Sequence, residues 1–528
     1  MNAFAAISAA LCLVTLPALS SPDAEFVRVA SDQSGFETST SKTRFVPFGV
    51  NFVLNEKRYL NLFGPGVYDR ERYERALTAL EKLGFNTVKV FLPIAQVLPD
   101  PQLPGEARIA SGYLDNLEDF LGMAHRHRIR VVVCLACWGG NGIKWWHEGG
   151  EYFGRNPWRS DPGIDSLEVL IRFWTQLGAR LRDNPAVLSY TPAVEWTFPA
   201  GNLTWTPPSE QYGRLKTEPG LFYWRAFLQA RYEGSITNLN RAFGTGYTNF
   251  QEVPVVDYTY DLKAKRYADP AAKILDYQNF REWGSRRYFK PQITAIRAAD
   301  PRHMVTLSNH SRRAIGLWEG AARYFTGFEV PDQSDLVDYL TTHENRSESE
   351  LKRGQTIQDV VHDSIVQARF CNARTCKPLI IEEFTFAASD PRRVADGQSS
   401  MVLGTVGHAS GWMNWYLQFP HDPNQADTPG TDRSAVLDDD FRPTPWGSRA
   451  RDLIVQLNKL DLSRLPPKTT IELDRQKELV PLEMGTQLRI CGQWTNYLHP
   501  IDFRWPRNQW IDLDLHERSN SGGAVPKK

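Results

Sequence analysis

The chain of 528 residues has no excess of charge of either sign, because 61 Lys and Arg balance 61 Asp and Glu. A nucleic-acid-binding protein would normally need a basic surface, so no nucleic-acid partner is expected. Beyond the N-terminus there is no apolar run of about 18 residues, the length that predicts a transmembrane helix. No Gly-rich phosphate-binding loop follows the first strand-like segment, which weakens the prediction of a doubly wound nucleotide-binding sheet.

Cysteine is also scarce, with 6 residues, and no cluster of Cys or His has the spacing of metal ligands. The sequence therefore predicts neither a metal nor a cofactor. Cys134 and Cys137 lie in an apolar run typical of a buried strand. Cys371 and Cys376 lie in a polar loop, where a disulfide in an exported protein and two free thiols are both compatible with the sequence.

The N-terminus has the pattern of an export signal. Residues 1–20 contain no charged side chain and are largely apolar. They end in Ala18-Leu19-Ser20, which has small residues at the two positions that a signal peptidase recognises. A buried N-terminal helix is the alternative. The pattern predicts a secreted or periplasmic protein.

Apolar strand-like runs alternate with amphipathic helical patterns along most of the chain. Helical spacing is found over 69–83, 113–127, 165–182, 276–298 and 355–370. The eight β-runs are 44–52, 87–92, 129–137, 186–195, 304–308, 336–341, 379–384 and 411–417. Eight such βα units predict an α/β protein with a closed (β/α)8 TIM barrel.

The remaining segments predict the domain organisation. Residues 21–460 form the barrel, with residues 199–275 as a long insertion after the fourth strand. Residues 461–528 leave the barrel pattern, and their short alternating runs predict a small β-rich extension with a disordered tail.

Two glutamates end strands, where barrel enzymes place catalytic groups. Glu195 closes the fourth β-run and Glu383 the seventh. Glycoside cleavage needs two carboxyl groups, one to protonate the leaving oxygen and one to attack the anomeric carbon or activate water. A salt-bridged structural role is the alternative for each. Glu382 neighbours Glu383, and strand alternation predicts that the two point in opposite directions.

Several motifs, in order, resemble clan A glycoside hydrolases, especially glycoside hydrolase family 5, which contains cellulases and mannanases. They are Pro47–Asn51, Leu83–Val88, Asp183–Val187, Lys377–Phe384 and Gly411–Trp415. Within the insertion, Tyr232–Tyr247 is similar to a segment of family 42 β-galactosidases. The resemblance implies a retaining β-glycosidase with Glu195 as the acid/base, Glu383 as the nucleophile and a carbohydrate as substrate.

The chain departs from the family 5 pattern at several positions. Val194 stands where the family has an Asn that contacts the sugar 2-hydroxyl, and Lys89 stands where the family usually has Arg. No third-strand His is found, and Thr341–Asn345 keeps a His but not the expected Tyr. These departures keep open a carbohydrate-binding barrel without catalysis. Transglycosylation on the same residues is a further alternative.

Four other residues are predicted to contact substrate: Asn51, Trp138, His343 and Trp415. Aromatic faces stack on sugars, so Trp415 is expected to form a platform. Trp138, on a loop rich in tryptophan, is expected to line the cleft. For His343 a structural role is equally compatible with the sequence, and for Asn51 the alternative is a residue that caps a turn. The sugar, the linkage, endo or exo action and the oligomeric state stay open.

Overall fold

The computed structural model describes residues 25–55, 61–98, 107–136, 160–161, 164–192, 194, 220–254, 256, 260–261, 266–308, 334–351, 357, 377–419, 432–459, 471–472, 487–490 and 493–496. The expected export signal, Cys371, Cys376 and most of the helix predicted over 355–370 lie outside these residues. So do two predicted site residues, Glu195 and Trp138.

Strands and helices alternate along the chain as the periodicity predicts. The strands are β1 (Val27–Val29), β2 (Phe36–Thr38), β3 (Arg44–Phe45), β4 (Phe48–Asn51), β5 (Thr87–Pro93), β6 (Arg130–Ala136), β7 (Ser160–Asp161), β8 (Ile164–Asp165), β9 (Val187–Thr191), β10 (Tyr260–Asp261), β11 (Arg266–Tyr267), β12 (Met304–Val305), β13 (Leu340–Ser347), β14 (Leu379–Ala387), β15 (Gly411–Asn414), β16 (Ile471–Glu472), β17 (Gln487–Ile490) and β18 (Gln493–Asn496). The helices are α1 (Arg70–Leu83), α2 (Ile94–Val97), α3 (Ser111–Arg126), α4 (Ser166–Leu181), α5 (Gly220–Arg231), α6 (Ile236–Phe243), α7 (Ala271–Ala299), α8 (Pro391–Thr405) and α9 (Pro445–Leu457).

Eight parallel strands form the central sheet, in the spatial order β12-β9-β6-β5-β4-β15-β14-β13. The two ends of this series meet, because Asp338 N donates to Val305 O at 2.8 Å. The Thr306 hydroxyl adds a second link to Tyr339 O, also at 2.8 Å. The ring is therefore closed, and the predicted (β/α)8 barrel is confirmed.

Local sequence explains where the helices begin and end. In α1 the Asp69 side chain accepts from Arg72 N, and Gly84 ends the helix in the left-handed region with φ of 83°. The face of α1 with Tyr73, Ala76 and Leu80 is buried against the barrel. This cap and this spacing are readable from sequence, which is why the predicted helix over 69–83 is nearly correct.

Several strand bounds differ from the prediction by a few residues, and β14 continues past Glu383, which was expected to end it, to Ala387. Two predictions differ more. The predicted run 44–52 is split at Pro47, which lacks an amide hydrogen and cannot continue the strand pairing. As a result, β3 joins a small antiparallel sheet, whereas β4 joins the barrel. The predicted run 336–341 instead forms β13 over Leu340–Ser347. The prediction followed the apolar residues at the start of this segment. The residues that pair with β14 are instead the mostly polar ones that come after them.

The small antiparallel sheet of β1, β2 and β3 contributes side chains to the interior of the barrel. Val27 and Phe36 share a buried apolar cluster with residues from several barrel strands. The Phe36 and Tyr339 rings meet edge to face with centroids 5.3 Å apart. The barrel members of this cluster are Val132, Leu188, Met304, Tyr339, Ile380 and Met413. This apolar layer forms the floor beneath the polar residues described below.

The segment between β9 and β12 contains the long insertion and the barrel helix α7. Its described part consists of α5, α6, the β10-β11 hairpin and α7. Near the C-terminus, β16, β17 and β18 form an antiparallel sheet. The division into residues 1–20, 21–460 and 461–528 stays a prediction. Within the described residues, no helix is both long enough and apolar enough to cross a membrane.

Two helical glycines are expected to respond to Ala in opposite directions. A Cβ at Gly397 in α8 would lie 2.2 Å from Phe386 Cγ, whereas a Cβ at Gly122 in α3 would meet nothing closer than 4.0 Å. Gly397→Ala is therefore expected to destabilise by about 1–3 kcal/mol through overpacking. Gly122→Ala is expected to be neutral or to stabilise by up to about 1 kcal/mol. Urea unfolding of the two variants measures the contrast, and equal stabilities would contradict it.

Candidate active site

A cluster of buried polar side chains lies inside the barrel, above the apolar floor. Lys89 comes from the middle of β5, Glu382 and Glu383 from β14, and His343 from β13. Ser308 joins them from the chain just after β12. All five are almost fully buried, at 0 to 2% exposure. Buried charged groups are rare unless they are paired, so this cluster is the strongest candidate for a functional site.

Lys89 is the centre of the cluster. Its Nζ donates to Glu383 Oε1 at 3.0 Å, to Glu382 Oε2 at 3.1 Å and to Ser308 Oγ at 2.8 Å. The three donors of the ammonium are thus matched by three acceptors. One cation holds two adjacent carboxylates inside the barrel.

His343 bridges the same groups from the other side. Its Nδ1 lies 3.2 Å from Glu383 Oε2, and its Nε2 lies 3.6 Å from Glu382 Oε2. The Ser308 hydroxyl is 3.0 Å from Nε2. The Ser308 hydroxyl, which accepts from Lys89, thus links His343 to the same network.

A β-bulge explains why both glutamates reach Lys89. Thr342 pairs with Ile381, but the next residue, His343, pairs with Glu383, so Glu382 is an extra residue on β14. The register with β15 shifts over the same stretch. The expectation that alternation turns Glu382 away from Glu383 is therefore wrong, because a bulge breaks the two-residue period.

The charges in the cluster stabilise one another. Burial opposes the charged form of Glu382, but Lys89 and His343 outweigh burial and lower its pKa to about 2. Burial likewise opposes the charged form of Lys89, yet Glu382 and Glu383 raise its pKa above the ordinary value. Lys89 and Glu382 are thus an ion pair throughout the neutral pH range.

Aromatic and apolar side chains lie above the polar cluster, towards the carboxyl ends of the strands. Trp415 follows β15, is partly buried, and meets Phe91 edge to face with centroids 6.0 Å apart. Phe91, Val194 and Tyr416 are buried in the same apolar cluster. Trp415 thus has one apolar neighbour on the β5 side and another in Tyr416, whose ring is 5.7 Å away.

The structure brings together some of the residues predicted from sequence. Glu383 and His343 face each other across β13 and β14. The Asn51 amide is buried and donates to the backbone of Glu382 and Asn414 at 3.0 and 3.1 Å, so it ties the neighbouring strands to β4. Substrate contact by Asn51, His343 and Trp415 stays a prediction.

The first predicted carboxyl group, Glu195, lies outside the described residues, but its chain neighbour is described. Val194 forms a parallel bridge with Ser308, which itself contacts Lys89 and His343. The chain that carries Glu195 therefore passes beside the polar cluster at Val194.

Lys89 and Ser308 were not among the site residues predicted from sequence. A signal was present for Lys89, because a lysine inside the apolar run Thr87–Pro93 must be buried and therefore paired. Ser308 carried no comparable signal, since serine is common at strand ends. Across the described residues, no group of three or more His, Cys, Asp and Glu is placed to hold a metal ion.

The fold and the site together define a (β/α)8 barrel with a buried cluster of carboxylate, lysine, histidine and serine side chains in its interior. The family model described as β-galactosidase of glycoside hydrolase family 42 matches residues 167–374, less than half of the chain. No significant match is found among curated proteins. The barrel and the family match support a glycosidase of the clan A type, as the motifs predict.

Solved structures with the same fold are distant in sequence. A GH5_18 protein from Streptomyces cattleya, in complex with GlcNAc, has 14% identity and a TM-score of 0.50, covering 79% of this chain and 81% of that chain. The exo-β-1,4-mannosidase Op5Man5 from Opitutaceae bacterium strain TAV5 has 14% identity and a TM-score of 0.50, covering 81% and 62%. A β-galactosidase from Halorubrum lacusprofundi has 16% identity and a TM-score of 0.54, covering 78% and 58%.

Proposed function

We propose that the protein is a retaining β-glycosidase in which Glu383 is the nucleophile and Glu195 the acid/base. The observation that carries this proposal is the position of Glu383. It is a buried carboxylate in the middle of barrel strand β14, held at 3.0 Å by Lys89 and at 3.2 Å by His343. A carboxylate held on both oxygens has a fixed orientation, which an attack on an anomeric carbon requires.

The reaction would proceed in two displacements. First, an oxygen of Glu383 attacks the anomeric carbon, the bond from that carbon to the leaving oxygen breaks, and Glu195 gives its proton to that oxygen. Second, a water oxygen attacks the anomeric carbon, its proton passes to Glu195, and Glu383 leaves as a carboxylate. Both carboxyl groups return to their starting states, so no co-reactant besides water is needed.

The substrate class follows from the same resemblances. The family model and one similar structure are β-galactosidases, and another similar structure is an exo-β-1,4-mannosidase. We therefore propose β-galactosides and β-mannosides as the first substrates to test, with β-glucosides and β-xylosides beside them. The signal-like residues 1–20 support a secreted or periplasmic enzyme.

A carbohydrate-binding barrel without catalysis is the second candidate, and one observation favours it. Both buried glutamates are already engaged by Lys89. If the salt bridge only stabilised the barrel, no sugar would react at Glu383. Covalent trapping separates the two candidates.

The direct test uses a 2-deoxy-2-fluoro aryl β-glycoside, which would form a slowly hydrolysed glycosyl-enzyme. Peptide mapping is expected to find the label on Glu383. No label, together with measurable sugar binding, would support the binding barrel. A label on another carboxylate would contradict the assignment of Glu383.

A separate prediction concerns Glu195. Its proton is needed most when the leaving group is poor, because a poor leaving group departs only if its oxygen is protonated. Glu195→Ala is expected to lower kcat/KM on unactivated disaccharides by about 10²–10⁴-fold. On an aryl glycoside with a strongly acidic phenol, the first displacement should be much less affected. Rates on leaving groups of graded acidity measure the contrast, and an equal loss on all of them would contradict the acid/base role.

A further inference from the structure

Lys89 has two carboxylate partners, but the proposed reaction consumes the charge of only one. Glu383 and Glu382 lie 3.0 and 3.1 Å from Lys89 Nζ, and Lys89 itself is fully buried. When the sugar is attached to Glu383, that carboxylate becomes a neutral ester. A lysine with Glu383 alone as its partner would then be left as an unpaired charge inside the barrel, which is strongly unfavourable.

Glu382 is placed to prevent this. It is an extra residue of the bulge in β14, and strict pairing would have turned it away from Lys89. Its backbone carbonyl is fixed by the Asn51 amide at 3.0 Å, so its position does not depend on the substrate. Because Lys89 and His343 outweigh the effect of burial, the low pKa of Glu382 keeps it ionised over the working range of an enzyme.

We propose that Glu382 is a positioning residue that keeps Lys89 paired while Glu383 carries the sugar. Through this role, it lowers the barrier for the attack by Glu383. The proposal rests on the proposed function, because it assumes that Glu383 forms the covalent bond.

The charges balance through the first displacement. Before it, the Lys89 ammonium faces two carboxylates, Glu382 and Glu383. A bond forms between Glu383 and the anomeric carbon, the glycosidic bond breaks, and the leaving oxygen takes the proton of Glu195. Afterwards the ammonium still faces one carboxylate, Glu382, so Lys89 keeps a partner of opposite charge when the intermediate is formed.

The other titratable groups around the pair come from neighbouring strands. In the described chain they are His343 from β13, Tyr339 just before β13 and Cys134 from β6. Burial and the nearby Glu382 charge raise the pKa of Tyr339 well above its ordinary value, so Tyr339 stays neutral. Lys89, at 3.1 Å, is the cation that Glu382 pairs with most closely.

The first test is Glu382→Gln, which keeps the shape and removes the charge. The whole of the Lys89 charge then acts on Glu383, which stabilises its ionised form and makes the attack harder. We expect labelling by the fluoro-glycoside to slow by about 100-fold, a loss typical of removing one stabilising electrostatic contact. The acid limb of kcat/KM should move to lower pH, which a purely structural defect would not cause.

Glu344→Gln is the matched control. Glu344 is equally buried, at 1% exposure, but it shares a strand face with Thr342 and Arg346 and is not among the acceptors of Lys89. This variant is expected to keep the acid limb of the wild type. A shift of the same size in both variants would overturn the proposal, since it would be a general effect of losing a buried carboxylate.

The second test is a double variant, Lys89→Met with Glu382→Gln. It removes the cation together with its counter-charge, so neither the free enzyme nor the intermediate contains an unpaired lysine. We expect the double variant to be labelled faster, and to be more stable, than Lys89→Met alone. If Glu382→Gln does not fold, this comparison carries the test, and a double variant no better than Lys89→Met overturns the proposal.

Failure of this inference is distinguishable from failure of the proposed function. If Glu383 is labelled but Glu382→Gln changes neither the labelling rate nor the acid limb, the positioning role is wrong and the glycosidase stands. If no glutamate is labelled in the wild-type enzyme, the proposed function itself is wrong.

Discussion

Replacing Glu383 with Ala is expected to lower kcat/KM for aryl β-glycosides by about 10⁴-fold or more, the scale seen when a catalytic nucleophile is removed. The physical reason is that no other group is expected to take its place. Glu382 is held by Lys89 and by its place in the bulge, so it does not replace the attacking oxygen. Initial rates with the wild type and the variant measure the loss.

Azide provides a positive control for this variant. The Ala side chain leaves room for a small anion beside Lys89, so azide is expected to attack the anomeric carbon and restore part of the rate. A single displacement inverts the configuration, so the product from a β-glycoside should be the α-glycosyl azide. Glu383→Gln fills the same space and should not be rescued. Full activity of the Ala variant without azide would show that Glu383 is not the nucleophile.

Replacing Lys89 with Met is expected to destabilise the folded protein by about 3–5 kcal/mol, the range for breaking a buried ion pair by removing one partner. Met has a similar length and packs well in apolar surroundings, so the loss is one of charge rather than of volume. Glu382 and Glu383 would remain buried without their shared cation. Chemical denaturation at neutral pH measures the effect.

The loss should depend on pH in a defined direction. Because the folded-state pKa of Glu382 is lowered to about 2, its contribution to stability is complete above its ordinary value of 4.5 and disappears as the pH falls towards 2. The difference between the wild type and Lys89→Met should therefore shrink over this interval. Lys82→Met, at an exposed position on α1, is the control and should change stability by less than about 0.5 kcal/mol. A Lys89→Met variant as stable as the wild type would contradict the ion-pair interpretation.

Most of the barrel could be predicted from sequence because its signals are local. The Asp69 cap, the apolar spacing of α1 and Gly84 at its end specify that helix without reference to the rest of the chain. The apolar runs at β5, β6 and β14 likewise mark buried parallel strands. The main errors were the bounds of β13 and the split before β4, where a buried polar stretch and a proline override hydropathy.

The candidate site could be predicted only in part. Glu383 was found because strand ends carry chemistry in barrels and because its motif resembles a known family. His343 was found in the same way, although its contact with Glu383 depends on the register of β13 with β14. The positions of Glu195 and Trp138 lie outside the described residues, so their roles stay predictions.

The sequence by itself determined the alternation of strands and helices, the closed eight-stranded architecture and the identity of one central carboxylate. Only the tertiary structure decided which groups surround that carboxylate. A bulge in β14 turns Glu382 towards Lys89, and His343 from β13 and Ser308 from the chain after β12 complete the cluster. The reason is that helix caps and apolar spacing act between residues close in sequence. Register and bulges are settled between strands that are distant along the chain, by whichever pairing satisfies the buried charges.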